Sequence, residues 1–237
     1  MPKGIDDEVR AAAASGGVAH GTLDFAPIAG NSRAVSNAFA GWVQARDGNR
    51  EATWILLLRD ALKILGLEVA TERRTTAAGG PDRVWVDFEG VRRTGKAMVP
   101  EFGDSSGDRV RCLLVWGHPS AETIVAWSDA DNENRPVIVL HFGTMAVKAR
   151  SALHDRLRGT KRRPMIVVDD AVLAWVAAQG TGTLETTTRA TLPFSAVNPF
   201  VTNSAVVPVE MFYGRVQERR DVMYDPDTTF IYGGRRL

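Results

Sequence analysis

The chain has 237 residues, 44% of them hydrophobic and 24% charged, and a formal net charge of +1. That composition excludes an intrinsically disordered chain, and the charge balance supplies no global field for nucleic acid. The single cysteine, Cys112, excludes an internal disulfide and a cysteine-based metal site and suits a cytoplasmic location, and no run approaches the ~20 apolar residues of a membrane span.

Residues 1–30 are rich in Ala and Gly and read as a flexible leader. Asp6, Asp7 and Glu8, without an apolar stretch, do not make a signal peptide. Residues 32–45 place Val35, Phe39, Trp42 and Val43 on one helical face behind Ser32 as a cap. A stronger helix over 51–65 carries Trp54, Ile55, Leu58, Leu62 and Leu65, and Gly66 stops it. Residues 67–71 read as a strand. Residues 83–89 alternate Val84, Val86 and Phe88 against Trp85 and Asp87, which is strand period. Residues 90–96 then read as a hairpin turn, and 31–108 together as a small α+β unit.

From Arg109 the pattern changes. Three short apolar runs, at 110–116, 135–142 and 164–170, alternate with helical stretches at 119–127, 144–158 and 171–179. Ser120 is placed to cap the first helix; Met145, Ala149, Ala152 and Leu153 face inward on the second; Gly180 ends the third. Strands rich in β-branched residues alternating with helices predict a three-layer parallel α/β domain over 109–182. Residues 183–211 turn Thr-rich, then carry Pro193, Pro199 and Pro208 in quick succession. They read as a proline-rich linker laid across a neighbouring surface.

The densest functional signal is in 212–237. Phe212, Tyr213, Gly214 and Arg215 open it, a charged helical stretch and the polar turn Asp225, Pro226, Asp227 follow, and a short apolar strand at 229–232 runs into Gly233, Gly234, Arg235, Arg236 and Leu237. In G-x-x-x-x-G-K-[ST] a Gly-rich turn joins a strand to a helix. Its backbone N–H groups surround the phosphates, its Lys reaches the β and γ phosphates, and its Ser/Thr binds Mg²⁺. Gly233 to Leu237 fill the first five places, so the sequence reads as cut off inside a Walker A motif and 212–237 as the start of a P-loop NTPase domain.

This order resembles the nucleotide-binding entry of the signal-transduction NTPases (the STAND class) and of the related archaeal-type ATPases in the wider AAA+ group. Phe212, Gly214 and Arg215 match the phrase F-x-G-R-E, with Val216 where the acidic residue usually stands and Glu218 nearby. The proline segments from 192 onward are similar to the linker before that module. The resemblance implies an N-terminal accessory or regulatory segment of an ATP-binding parent whose partner is the downstream NTPase domain. It implies Phe212, Gly214 and Arg215 near the adenine, and Gly233, Gly234, Arg235 and Arg236 at the phosphates. ATP and Mg²⁺ would be ligands of the full-length parent; this chain, without the Lys and Ser/Thr, would bind neither tightly and hydrolyse nothing.

Other stretches compete. Gly90, Gly95, Lys96 and Ala97 imitate a phosphate loop, but Ala97 lacks the Mg²⁺ hydroxyl, and Pro100 and Gly103 prevent the following helix. Asp169 and Asp170 end an apolar strand; they are a possible secondary site at the carboxyl edge of a parallel sheet, or caps of the helix at 171–179. Asp82, Asp87 and Glu89 hint at a Mg²⁺-dependent nuclease without the acidic-x-Lys triplet. Arg158, Lys161, Arg162 and Arg163 form a basic cluster for a protein or nucleic-acid partner in a stand-alone interaction module, or the solvated end of a helix. His20, His118, His141 and His154 have no ligand spacing.

Overall fold

A computed structural model describes residues 3–48, 53–74, 80–95, 102, 107–133, 135–157 and 164–191. Phe212, Gly214, Arg215, Gly233, Gly234, Arg235 and Arg236 lie outside the described residues, as do Lys96, Ala97, Arg158, Lys161, Arg162 and Arg163. The chain divides into Met1–Asn198 and Pro199–Leu237, and all described residues belong to the first unit.

In chain order, α1 (Asp7–Ser15) precedes β1 (Val18–Ala19), β2 (Leu23–Asp24), a 3-10 turn (Ala26–Asn31), α2 (Ser32–Asp47) and α3 (Trp54–Ile64). Then come β3 (Leu67–Glu68), β4 (Thr71–Arg74), β5 (Arg83–Glu89) and β6 (Arg92–Arg93). The remainder is β7 (Arg109–Val115), α4 (Ala121–Asp129), β8 (Val137–His141), α5 (Val147–Leu157), β9 (Met165–Asp169), α6 (Asp170–Ala178) and α7 (Leu184–Thr191).

The fold is mixed α/β around a five-stranded sheet of order β4-β5-β7-β8-β9. The period-two geometry of a strand sends successive side chains to opposite faces. On β7, Cys112 and Leu114 enter one core while Leu113 and Val115 enter the other; Ile138 and Leu140 oppose Val137 and Val139 on β8 in the same way. The first core is closed by α1, α2, α3, α6 and α7, with Phe39, Trp42, Leu58, Leu62 and Leu173 fully buried. The second is closed by α4 and α5, through Ile124, Val125, Leu153 and Leu157. Both faces are therefore covered, which is why the three C-terminal strands carry unbroken apolar runs at 112–115, 137–140 and 165–168 instead of alternating. Each such buried aliphatic or aromatic side chain contributes about 1.5–3 kcal/mol.

β7, β8 and β9 are parallel, as expected for 109–182; β5, from the preceding stretch, runs antiparallel to β7 over seven residue pairs, Arg83↔Val115 to Glu89↔Arg109, and β4 antiparallel to β5. Four expectations change. The expected units 31–108 and 109–182 consequently share one sheet and one core, because β5 supplies Val86 and Phe88 to the cluster that holds Cys112 and Leu114. The expected leader is packed within its described part. Asp6 caps α1 by accepting from Val9 N–H at 3.0 Å, and Ile5, Val9, Ala13, Phe25 and Ile28 are buried. Small Ala residues make an ordinary helix interior here, and the apolar residues between them reach the core.

The first part of the expected linker is also not irregular, since 184–191 is helix α7; residues 192–211 lie outside the described residues. Thr188 and Thr191 return their hydroxyls to the carbonyls of Leu184 and Thr187 at 2.8 Å, and Thr187 donates to Leu65 O at 3.0 Å. Those bonds satisfy the buried hydroxyls that make the segment read as polar loop. Finally, Gly90 (φ +64) turns the chain out of β5, but β6 pairs with β3 instead of folding back as a hairpin.

Candidate functional site at the carboxyl edge of the parallel strands

Parallel α/β sheets place their reactive groups at the carboxyl ends of the strands. Here that edge brings together Trp116 after β7, His141 at the end of β8, and Asp169 and Asp170 after β9. The parallel register sets His141 directly beside Asp169.

Asp169 is fully buried and accepts three hydrogen bonds. Oδ1 takes the N–H of Val172 at 2.9 Å, capping α6; Oδ2 takes the N–H of Met145 at 2.9 Å and the guanidinium of Arg150. The capping reading of this residue is therefore realised, with a second tie to the segment leading into α5. Asp170, 2% exposed, accepts from Trp42 Nε1 at 2.6 Å and Gly143 N at 2.9 Å on Oδ1, and from Arg46 Nη1 at 3.0 Å on Oδ2. Arg46 also binds Asp47 through two nitrogens, at 2.8 and 3.0 Å. The hydrogen bond to Asp47, then the charge of Asp170, hold its guanidinium above the ordinary value against the opposing effect of burial. His141 donates Nδ1–H to Gly143 O at 3.1 Å.

The two carboxylates are thus hubs that lock α2, α5 and α6 to the strand ends, a use for which fully hydrogen-bonded buried charge is well suited. An aromatic chain extends from this hub. Trp42, Phe142, Trp116 and Trp54 stand with successive centroids 4.8, 4.9 and 5.3 Å apart, and Trp116 donates to Ala45 O at 3.0 Å. Beside the hub runs a largely apolar groove of about 800 Å³, walled by Thr22, Leu23, Met145, Arg150, Val172 and Trp175.

Of the three carboxylates of the nuclease alternative, Asp87 and Glu89 share one face of β5 and each is paired with an arginine of β7. Asp82 precedes β5, while Asp87 lies five residues on, about 16 Å at strand rise. Asp87 is buried against Arg111 at 2.9 Å, its cross-strand partner. Arg111 holds Asp131 through two nitrogens, at 2.7 and 2.6 Å, and its guanidinium stacks 4.9 Å from the Trp85 ring centroid. Glu89 pairs with Arg109 at 3.3 Å. No group of three or more His, Cys, Asp or Glu able to hold a metal ion occurs among the described residues.

Arg111, Arg46, Arg150 and Trp42 are the functional-looking residues that sequence reasoning passed over. Arg111 carried a usable signal, because a charge inside an apolar strand run requires a partner and Asp87 interrupts the preceding strand. Trp42 and Asp170 are 128 residues apart, and no local pattern links them.

The chain matches no family model, no curated protein and no solved structure.

Proposed function

We propose that this chain is the N-terminal accessory or regulatory segment of an ATP-binding P-loop NTPase of the STAND or archaeal-type kind, acting in the cytoplasm. The observation that carries this reading is the order of residues over 212–237: Phe212, Gly214 and Arg215, a charged stretch, an acidic turn, an apolar strand, and Gly233, Gly234, Arg235 and Arg236. In this reading the first three lie at the adenine and the last four at the phosphates of a site that the parent protein completes with Lys and Ser/Thr. Mg²⁺ and hydrolysis then belong to the parent.

The α/β body supports an accessory role through its chemistry. Asp87, Asp169 and Asp170, the carboxylates best placed in the sequence for catalysis, are engaged by guanidinium, indole and backbone donors of the same chain. Among the described residues no helix is long and apolar enough to cross a membrane.

The test is binding of a fluorescent ATP analogue, with Mg²⁺, to the 237-residue chain and to the parent protein. The parent binds, its Walker Lys→Ala variant does not, and the 237-residue chain binds at most weakly. Strong binding by this chain alone, or none by the parent, sinks the proposal.

A further inference from the structure

The groove at the carboxyl edge presents an aromatic ring that the fold does not cover. Every residue of α6 is buried or half-buried except Trp175, which is 39% exposed and lines the groove. Ala171 and Val172, one turn earlier, share its helical face and continue the same wall. Leu23 from β2 and Met145 from the segment before α5 add apolar surface opposite. A volume of about 800 Å³ is of the size that takes a small organic molecule, and mostly apolar walls with a few polar groups are what such sites have. The carboxyl edge of parallel strands is also where open α/β sheets bind ligands.

The polar groups decide which ligand. Arg150 of α5 and Arg189 of α7 stand in the walls, and no Asp or Glu is among the described wall residues. Each arginine has a carboxylate beside it, with different consequences. Arg150, its side chain 24% exposed, is tied to the fully buried Asp169. Asp169 spreads its charge over the N–H groups of Val172 and Met145 as well, so it fixes the guanidinium in place without cancelling it. A guanidinium carries five N–H donors in a rigid fork, enough to meet one carboxylate from below and another from the groove. Arg189 pairs with Glu185 one turn earlier at 3.0 Å, with both side chains half exposed or more. An ion pair in water contributes little and is screened by salt, so Arg189 exchanges that partner at small cost.

We propose that this groove binds a small organic anion, a carboxylate carried on a flat apolar body. The body stacks on Trp175 and packs against Leu23, Met145 and Val172, and the carboxylate is received by the arginines of α5 and α7. The apolar walls supply affinity for any molecule of that shape, and the arginines select the acid over its neutral and cationic counterparts. The inference rests on none of residues 212–237 and stands independently of the nucleotide reading.

The test is isothermal titration calorimetry at low salt on the intact 237-residue chain, with probes of one shape and different charge: naphthoate, naphthamide and naphthylmethylammonium. Naphthoate binds one-to-one and about tenfold tighter than naphthamide, the weight of one charge-assisted hydrogen bond. The ammonium compound binds more weakly than the amide. Trp175→Ala weakens naphthoate and naphthamide alike, because it removes the platform both use. Arg189→Gln brings naphthoate down toward naphthamide and leaves naphthamide unchanged. Arg189 is the arginine to replace, because Arg150 also satisfies the buried Asp169; its side chain is 64% exposed, so this variant folds and keeps the test decisive even where Trp175→Ala does not fold. Equal affinity for naphthoate and naphthamide, binding that both substitutions leave unchanged, or no binding by the intact chain overturns the proposal. So does a dimer of this chain that Trp175→Ala dissociates, which gives the groove to a second copy.

Discussion

Replacing Asp170 by Ala tests whether the strand-end carboxylates are structural hubs. The substitution removes the acceptors of three donors: Trp42 Nε1, Gly143 N–H and Arg46 Nη1. Trp42 is fully buried, and Asp170 Oδ1 is the acceptor for both its indole N–H and the Gly143 amide. A buried donor left unsatisfied costs about 1–3 kcal/mol. Arg46 is 30% exposed and keeps Asp47, so its share is small. The two N–H groups set the expectation at about 4 kcal/mol, within the range of about 3–5 kcal/mol for breaking a buried charge pair. Against a typical total of about 5–15 kcal/mol that is a large fraction. Asp170→Asn keeps an oxygen for Trp42 and Gly143 and loses only the charge, so it costs about 1–2 kcal/mol. Urea unfolding followed by tryptophan fluorescence reads both variants, with unchanged m-values required for the comparison. An Ala variant within about 1 kcal/mol of wild type, or an Asn variant as damaged as the Ala one, refutes the hub.

Two further outcomes follow from close packing. Gly41 lies inside α2, where intrinsic propensity alone makes Gly→Ala favourable by about 1 kcal/mol; but a Cβ there would stand 2.1 Å from Leu57 O of α3, so Gly41→Ala is expected to destabilise by at least about 2 kcal/mol in the same urea assay. A stabilised variant shows that the α2–α3 contact is looser than described. Cys112 is fully buried, and burial, then the charge of Asp87, push its thiol well above the ordinary value. A disulfide reagent at neutral pH should therefore label it only at the rate of unfolding; rapid labelling of the folded chain contradicts the buried placement.

The local elements were legible where the deciding interaction spans three or four residues. Ser120 caps α4 through Thr123 N–H and Asp169 caps α6 through Val172 N–H, both bonds of range three. The apolar faces of α2 and α3 bury Val35, Phe39, Trp42, Leu58 and Leu62, as their spacing predicts. Where spacing and composition misled, a distant partner decided. The Thr-rich segment is a helix because Leu184 is buried and Thr187 reaches Leu65 O; the Ala-rich leader is ordered because Phe25 and Phe39 meet at 6.2 Å.

By itself, then, the amino-acid order determined the α/β class, because strands buried on both faces must be continuously apolar and the helices between them must carry one apolar stripe. The proposal for 212–237 rests on that order alone. The tertiary structure alone decided that β5 lies antiparallel beside β7, joining two expected units into one sheet. It decided that Asp87 answers Arg111 and that Asp170 answers Trp42 and Arg46. These pairings join residues tens to more than a hundred positions apart. They are selected by the collective burial of both sheet faces and the need to satisfy every buried charge, and neither condition has a local signature.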